Sequence, residues 1–383
     1  MSASTIYLDH NATTPTDPAV IAAMEPAWSG AFGNPGSRHS AGRRARRSLE
    51  DARESVAAML GAKPSEVVFT SGGTESNNAA IFGLTQGRTG TIALPNGEHP
   101  SVEMAVRRME SAGWSRATLA IDEHGIVHPD SLAALDWSQL RLVTLLLAHN
   151  ETGVIQPVGE LAKLCQSHGV PLHLDAVQAV GKIDVDFHAS GATSLSLCAH
   201  KFHGPRGIGA QLIREDSRLT PLLFGGHQER EHRAGTEPVA LAVGMAKALE
   251  IWHADRHRLH SHLASLRDRL AAQLLAKCDP VVVHGAGAVR LPNTLNAAFP
   301  GCDGEALLVA LDLAGVCCSM GSACASGSSE PSPILLAMGS SRELARASLR
   351  FSLGRENIAE EIDEAAQRIT TIVQRMRSRR VLP

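Results

Sequence analysis

The sequence has few of the features that mark membrane, nucleic-acid-binding or secreted proteins. No apolar run reaches the length that spans a bilayer. Aromatic residues make up 3% of the 383 residues, with Tyr7 as the single tyrosine, which argues against a base-stacking surface. The formal net charge is -3, so the chain as a whole is not basic. Residues 1–5 lack the charged-then-apolar order of a signal peptide, and we expect a cytoplasmic protein without a membrane or nucleic-acid partner.

A locally basic stretch lies between residues 38 and 53. Its arginines alternate with Ala, Leu and Glu, a pattern typical of an exposed helix face. We therefore interpret these residues as the solvated side of a helix: Arg43, Arg44, Arg46, Arg47 and Arg53.

The cysteines do not form a metal-binding or disulfide pattern. There are seven, an odd number: Cys165, Cys198, Cys278, Cys302, Cys317, Cys318 and Cys324. No CxxC pair occurs, and the last three lack a nearby histidine. We therefore predict free thiols, and we expect no metal site.

Beyond residue 60 the pattern alternates between strands and helices. The strand candidates are short apolar runs, and amphipathic stretches separate most of them. Seven strands are predicted here: 67–70, 91–94, 117–121, 140–148, 170–175, 195–198 and 209–213. Strands that alternate with helices form a mostly parallel sheet covered on both faces. The predicted fold class is therefore α/β.

A long helical region, 238–278, leads from this sheet to a second set of elements. These shorter strands and helices predict a smaller α+β domain, to which the N-terminal loop returns. The predicted division gives residues 14–255 to the large domain, and residues 1–13 with 256–383 to the small one.

Lys201 follows the predicted strand 195–198 almost at once. It is thus displayed at the C-terminal end of a core strand, where α/β folds place their ligands. Gly204, Pro205 and Gly207 then prevent a helix. A partly desolvated lysine is suited to form a Schiff base with a carbonyl cofactor. On this stretch alone, a solvated lysine at a strand end is the alternative.

Polar side chains follow four further strands of the predicted sheet: Thr74, His99, Asn150 and Asp175. Thr74 lies in a glycine-containing turn before a helix, whose N–H groups and positive dipole end favour a phosphate. Asp175 ends a buried strand and needs a partner, such as a pyridinium nitrogen. Each of the four, taken alone, also fits a helix cap. Because one sheet edge collects all these strand ends, we expect a single site there.

Two further residues stand out near the C-terminus. Cys324 is surrounded by small, flexible residues, which is typical of an exposed, reactive thiol rather than a buried structural one. Arg350 lies inside an alternating strand, and its partly buried guanidinium requires a carboxylate, such as that of an amino-acid substrate.

These motifs, in this order, resemble the cysteine desulfurases that supply iron–sulfur cluster assembly. The resemblance covers nearly the whole chain, from residue 7 to residue 355. Those proteins are pyridoxal 5'-phosphate enzymes of the class V aminotransferase group, with fold type I. The resemblance implies that fold for this chain, with a mobile cysteine loop on the small domain. It also implies a homodimer.

The resemblance also implies roles for the candidate residues. Lys201, Cys324 and His99 are the expected catalytic residues, and Asn150 and Arg350 are expected to bind the substrate. Asp175 pairs with the ring nitrogen of the cofactor, and Thr236 reaches the phosphate in the neighbouring subunit. The expected cofactor-binding residues are Gly73, Thr74, His99, Asn150, Asp175, Gln178, Cys198, His200, Lys201 and Thr236.

The implied reaction removes sulfur from L-cysteine, giving L-alanine and a persulfide on Cys324. The sulfur then passes to an iron–sulfur scaffold or a thiolation carrier. The chain departs from the family at Cys198, where serine is usual, and in a short C-terminal end. Alternatives are a selenocysteine lyase, another lyase or aminotransferase of this fold, and a non-catalytic assembly subunit. Cys324 argues against the aminotransferase.

Overall fold

The computed structural model describes residues 5–85, 87, 89–321 and 330–380, with the backbone alone for residues 379 and 380. Cys324 lies outside the described residues. Twelve strands occur in the described part: β1 Ile6–Tyr7, β2 Val67–Thr70, β3 Thr91–Pro95, β4 Ser115–Leu119, β5 Leu140–Leu146, β6 Leu172–Asp175, β7 Ser194–Cys198, β8 Gly209–Ile213, β9 Val282–Val283, β10 Thr294–Ala298, β11 Val316–Cys317 and β12 Ser348–Ser352.

Twelve α-helices occur over the same residues. Several begin at a proline in the first turn, where the missing N–H costs nothing, and Asp17 caps the first of them by accepting from the Ala19 amide. Their bounds are α1 Pro18–Gly30, α2 Ser40–Met59, α3 Gly73–Leu84, α4 Pro100–Glu110, α5 Pro129–Ala133, α6 Gly159–His168, α7 Phe187–Ser190, α8 Val239–Lys277, α9 Gly304–Leu313, α10 Pro333–Ala337, α11 Arg342–Arg346 and α12 Ala359–Arg380.

Seven strands form the central sheet, in the order β2-β8-β7-β6-β5-β3-β4. Neighbours from β7 to β4 run parallel, whereas β8 is antiparallel to both β7 and β2. The predicted α/β fold with a mostly parallel seven-stranded sheet is confirmed. The strand predicted at 117–121 lies two residues earlier, at Ser115–Leu119.

Helices cover both faces of this sheet. Along β3, Ala93 packs into one apolar core, whereas Ile92 and Leu94 pack into another with Val102 and Val106 of α4. Successive side chains of a strand point to opposite faces, so these two cores lie on opposite sides of the sheet. Both faces of the sheet are buried, which explains why the strand sequences are nearly continuous apolar runs.

A second, smaller region surrounds two short sheets. One has the order β12-β10-β9 and the other pairs β1 with β11 in parallel. The N-terminal strand therefore lies in this region. Leu295 and Phe351 of these strands share a core with Ile369 of α12.

Helix α8 joins the two regions without a break over 39 residues. Its first half packs into the core of the large sheet through Met245 and Leu249, and its last turns pack into the second core through Leu270 and Leu274. The predicted domain boundary after residue 255 falls inside this helix. The division into domains stays a prediction.

One residue of the basic stretch differs from its prediction. Arg53 is only 2% exposed, so it does not lie on a solvated helix face. Its Nη1 and Nη2 donate to the two carboxylate oxygens of Glu229, at 2.7 and 2.9 Å. The arginine pattern alone could not reveal a carboxylate 176 positions away.

None of the helices in the described ranges is both long and apolar enough to cross a membrane.

Candidate active site

Lys201 lies at the carboxyl edge of the central sheet, three residues after β7 ends at Cys198. A 3-10 turn, Ala199–Lys201, carries it past the strand. Its Nζ donates to the backbone carbonyl oxygens of Asn11 and Ala12, at 2.6 and 2.8 Å. The N-terminal loop therefore passes directly over the lysine. The sequence analysis did not assign Asn11 or Ala12 to the site.

Beside the lysine, the start of α3 forms an anion-binding pocket. Gly72, Gly73 and Thr74 line it with His200 from the lysine turn. The remaining lining residues are Thr13, Ser71, Glu75, Arg206 and Gly207, and the Glu75 carboxylate is paired with Arg233 at 2.8 Å. A Cβ at Gly73 would lie 2.6 Å from Cγ2 of Val177, so only glycine fits there. The positive end of α3 and the Arg206 side chain together suit a phosphate group.

Asp175 ends β6 at the same edge, where it is 2% exposed. Its Oδ2 accepts from Nδ2 of Asn77 at 2.7 Å, and its Oδ1 accepts from the Val177 amide at 3.0 Å. Nε2 of His173 lies 3.1 Å from Oδ1 of Asn77 and donates to it. The Asp175 carboxylate is thus held by two N–H donors, and the buried His173 fixes the orientation of one of them, the Asn77 amide.

His99 is joined to the same network. Asn77 Nδ2 also donates to the Ser101 hydroxyl at 2.9 Å. The Ser101 hydroxyl and amide lie 2.7 and 3.1 Å from Nδ1 of His99. Because Nδ1 accepts the amide hydrogen bond, the neutral ring carries its proton on Nε2.

Burial sets the charge of the histidines around this edge. Burial lowers the pKa of His99, the neighbouring Asp175 carboxylate raises it, and the Lys201 charge lowers it further. Burial also lowers the pKa of His200 to about 4, with Lys201 and Arg206 acting in the same direction. Both rings are therefore neutral at neutral pH and can accept or donate hydrogen bonds without carrying charge.

Gln178 is buried beside Lys182, a lysine that the sequence analysis did not assign. Nε2 of Gln178 donates to the Asn11 carbonyl at 2.9 Å, and its Oε1 accepts from Nζ of Lys182 at 2.5 Å. Lys182 also donates to Oδ1 of Asn11 at 2.7 Å. Burial, and next the Lys201 charge, keep the pKa of Lys182 well below its usual value.

Cys198 lies under the anion-binding pocket. Its thiol is buried, and burial raises its pKa to about 11 although a hydrogen bond from the Gly73 amide acts against this. The sulfur thus lies against Gly73, which lines the pocket. Its predicted contact with a phosphate stays a prediction.

Arg350 is buried at the junction with the smaller region. Its Nη2 pairs with Oδ1 of Asp9 at 2.7 Å, and its Nη1 donates to the carbonyls of Asn150 and Gly321, at 3.0 and 3.3 Å. Its Nε is buried and has no hydrogen-bond partner among the residues that the structure describes. Arg350 and Asn150 are thus in contact, as a shared substrate site requires, but Asp9 already occupies one side of the guanidinium.

Two predicted residues are not brought to this edge by the described chain. Thr236 is exposed in the loop before α8 and does not line the anion pocket of its own chain. Cys324 lies outside the described residues. The described chain stops before it at Gly321, beside Arg350.

Residues 6–365 match the family described as Aminotransferase class-V. The chain belongs to the class-V aminotransferase family. A cysteine desulfurase of Nostoc sp. is 43% identical over 98% of this chain and 94% of its own length. An IscS-like cysteine desulfurase of Mycobacterium tuberculosis is 43% identical over 97% of each chain. The solved structure of a NifS-like protein has a TM-score of 0.90 and 33% identity, over 97% of this chain and 99% of its own.

The predicted family is thereby confirmed. The candidate site also contains residues that were not predicted from the sequence: Thr13, Asn11, Asn77, Lys182 and Arg206. Two of them could have been found from their sequence spacing to a predicted site residue. Asn77 lies one helical turn after Gly73, so it faces the same side of α3 as the pocket. Lys182 follows Gln178 by four positions. The others come from distant loops and could not have been found in this way.

Proposed function

We propose that this chain is a cysteine desulfurase that works with pyridoxal 5'-phosphate and holds the extracted sulfur on Cys324. The observation that supports this most is the grouping of Lys201, Asp175 and the anion pocket at one sheet edge. The relatives of this chain are named for that same activity over nearly its whole length. A selenocysteine lyase, an aminotransferase and a non-catalytic subunit are not favoured.

The residues present fit the proposed cofactor. The α3 pocket, with Thr74 and His200, would hold the phosphate, and Asp175 would face the ring nitrogen. When bound, the cofactor supplies an electron sink for the bonds around the substrate α-carbon. Gln178, Asn150 and Cys198 complete the proposed set on this subunit. The neighbouring subunit of a homodimer would add Thr236.

Proton movement falls to two groups in this proposal. Lys201 Nζ and Nε2 of His99 are the groups that take the proton from the substrate α-carbon and return protons to the product. The network through Ser101 holds the neutral tautomer of His99 and leaves Nε2 as the exchanging atom. Its lowered pKa keeps it able to accept a proton near neutral pH.

Cys324 carries the sulfur-transfer step. Its thiolate attacks the sulfur of bound L-cysteine, forming a sulfur–sulfur bond while the carbon–sulfur bond breaks. The electron pair of that bond stays with the carbon skeleton, which is protonated and leaves as L-alanine. Only a few per cent of an ordinary cysteine is thiolate at pH 7, so a nearby base such as His99 must take its proton.

The substrate carboxylate is assigned to Arg350 and Asn150. Nη2 of Arg350 is paired with Asp9, whereas its Nε has no hydrogen-bond partner among the described residues. One donor of the guanidinium is therefore occupied and another is available. In this proposal the carboxylate of L-cysteine either uses the remaining donor or displaces Asp9. Arg350→Ala should therefore raise the KM for L-cysteine chiefly, by roughly ten- to a hundredfold for one lost charge-assisted contact.

The activity is tested with L-cysteine and a thiol reductant, measuring sulfide and L-alanine together. The parent should release both in equal amounts. Cys324→Ala should bind the cofactor normally yet release no sulfide, and Lys201→Ala should lose both sulfide release and the borohydride-reducible cofactor linkage. Cys318→Ala is the matched thiol control and should keep the activity. Parental sulfide release by Cys324→Ala would exclude the persulfide role.

The homodimer, the sulfur-acceptor protein and the cytoplasmic location also belong to this proposal. Mass spectrometry of proteins that gain sulfur from the persulfidated chain would identify the acceptor as an iron–sulfur scaffold or a thiolation carrier. Transfer to neither would contradict this part of the proposal.

A further inference from the structure

A small cavity lies on the far side of Lys201 from the anion pocket. It is lined by Lys201, His10, His203 and His260, among others, and has a volume of about 40 Å³. A cavity needs roughly 10–15 Å³ of such space to hold one water molecule, so this one has room for a hydrated ion. The N-terminal loop, the loop after Lys201 and the start of the smaller region meet here.

Two residues that line this cavity, His10 and His203, lie close to a third metal-ligating side chain, Glu356. His10, His203 and Glu356 each offer a ligand atom, and these atoms lie within 4.8 Å of one another. Nδ1 of His203 bonds to the Pro15 carbonyl at 3.0 Å. That bond fixes a tautomer with its lone pair on Nε2, as the backbone carbonyl does for many metal-binding histidines.

A second, independent observation comes from His10. The residue is 4% exposed, and its buried Nδ1 has no hydrogen-bond partner within the described part of the chain. Gly354 lies against the ring, where a Cβ would come within 2.1 Å of Cε1. A buried ring nitrogen without a partner is unfavourable, and a bound ion would satisfy it.

We propose that His10, His203 and Glu356 bind a divalent transition-metal ion of the zinc class, with water from the cavity completing its coordination. Two imidazoles and one carboxylate, with an open position for water, form a ligand set that Zn²⁺ prefers. Three cations compete with the ion: Lys182 and Lys201 line the same cavity, and Nε of Arg355 lies 3.1 Å from Oε1 of Glu356. Asp17 also pairs with Arg355 and offsets that charge.

Such an ion would add a further link between three segments that already share hydrogen bonds and the Arg355–Asp17 ion pair. His10 precedes Asn11, whose carbonyl holds Lys201, and His203 follows Lys201 by two positions. Glu356 belongs to the loop between β12 and α12. The ion would therefore fix the lysine turn to the smaller region. The sequence analysis expected no metal because it considered cysteine-centred sites only.

The test uses the full chain with its reactive thiols alkylated, so that Zn²⁺ cannot bind them. Calorimetric titration with ZnCl2 should show one ion per chain and a rise in the thermal midpoint. Glu356→Gln and His203→Asn should each weaken zinc binding at least tenfold and remove that rise. Asn is chosen because His203 has φ of 65°, which Asn tolerates well. Glu360→Gln and His227→Asn are the controls, and they should bind zinc as the parent does.

Co²⁺ supplies a second readout. The bound ion should give a tetrahedral or five-coordinate d–d spectrum without a thiolate charge-transfer band, and the spectrum should be lost in both cluster variants. Equal zinc binding by the parent, Glu356→Gln and His203→Asn would place the ion elsewhere and overturn the proposal. Absence of zinc binding to the parent would overturn it too.

Discussion

Asn77 joins the two polar side chains on which the proposed chemistry depends. One amide nitrogen donates both to Asp175 and to Ser101, which in turn holds His99. Its oxygen is fixed from below by His173. The orientation of a base and the charge of a carboxylate are thus set by one buried side chain.

We expect Asn77→Leu to weaken the site while keeping the volume of the side chain. Losing one hydrogen bond to a charged group costs about 1.5–3 kcal/mol, or roughly ten- to a hundredfold. Cofactor retention on dialysis and kcat should both fall by about that factor. Asn78→Leu is the control, because Asn78 donates only to backbone carbonyls. Equal cofactor retention by both variants would contradict the assignment.

Cys198→Ser is expected to tighten cofactor binding several-fold. The hydroxyl would still accept from the Gly73 amide and would donate to a phosphate oxygen better than a thiol does. The difference is roughly 1 kcal/mol. Cys165→Ser, buried in the core away from the site, should lower stability and leave cofactor affinity unchanged. Weaker cofactor binding by Cys198→Ser would contradict the proposed contact between residue 198 and the phosphate.

Strand ends, more than strand interiors, were the informative part of the sequence. The apolar runs predicted the seven strands to within two residues at every end, since both faces of the sheet are buried. Their terminal polar residues therefore met at one edge, where Lys201 and Asp175 lie. The role of Asn11 could not be predicted, because its hydrogen-bond partner Asn293 is 282 positions away. The residues around Asn11 also show no helix or strand periodicity.

Strand β6 carries a pH-sensitive residue in its interior. His173 is fully buried, and burial lowers its pKa to about 3. Below pH 6.5 the unfolded chain therefore binds a proton that the folded chain does not. The free energy of unfolding should fall as the pH drops from 6.5 toward 3, by up to about 1.4 kcal/mol per pH unit from this residue.

His173→Gln should lose that part of the pH dependence, since its amide stays neutral and can still donate to Asn77. Urea denaturation at pH 7 and pH 5 should show a stability loss in the parent that exceeds the loss in the variant by about 2 kcal/mol. His168→Gln, at an exposed helix end, should behave as the parent. An equal loss in all three proteins would show that His173 does not contribute.

At the scale of the molecule, Asn11 links the two regions. Every polar group of this residue, which is 1% exposed, makes a hydrogen bond. Its partners come from both sides: Asn150, Gln178, Lys182 and Lys201 on the large-sheet side, and Asn293, Thr294 and Ser352 on the other. The N-terminal loop is therefore part of the site.

The proposed homodimer makes a prediction that single variants cannot test. If Thr236 serves the site of its partner, a heterodimer of Lys201→Ala and Thr236→Ala subunits has one site with both defects and one intact site. Its activity should be about half that of the parent dimer. If Thr236 acts within its own chain, each site carries one defect. The heterodimer then has no intact site, and its activity should stay well below half that of the parent dimer.

The number of residues in α8 fixes the angle, about the helix axis, between the side chains that pack into one core and those that pack into the other. At 39 residues the helix is about 58 Å long and contains no proline. One residue inserted between Leu249 and Leu259 would rotate Leu266 and Leu270 by about 100° and withdraw them from their core. Seven inserted residues would restore the angle to within about 20° but lengthen the helix by about 10 Å. Between the two cores, the side chains of α8 can therefore vary, but the number of residues in the helix cannot.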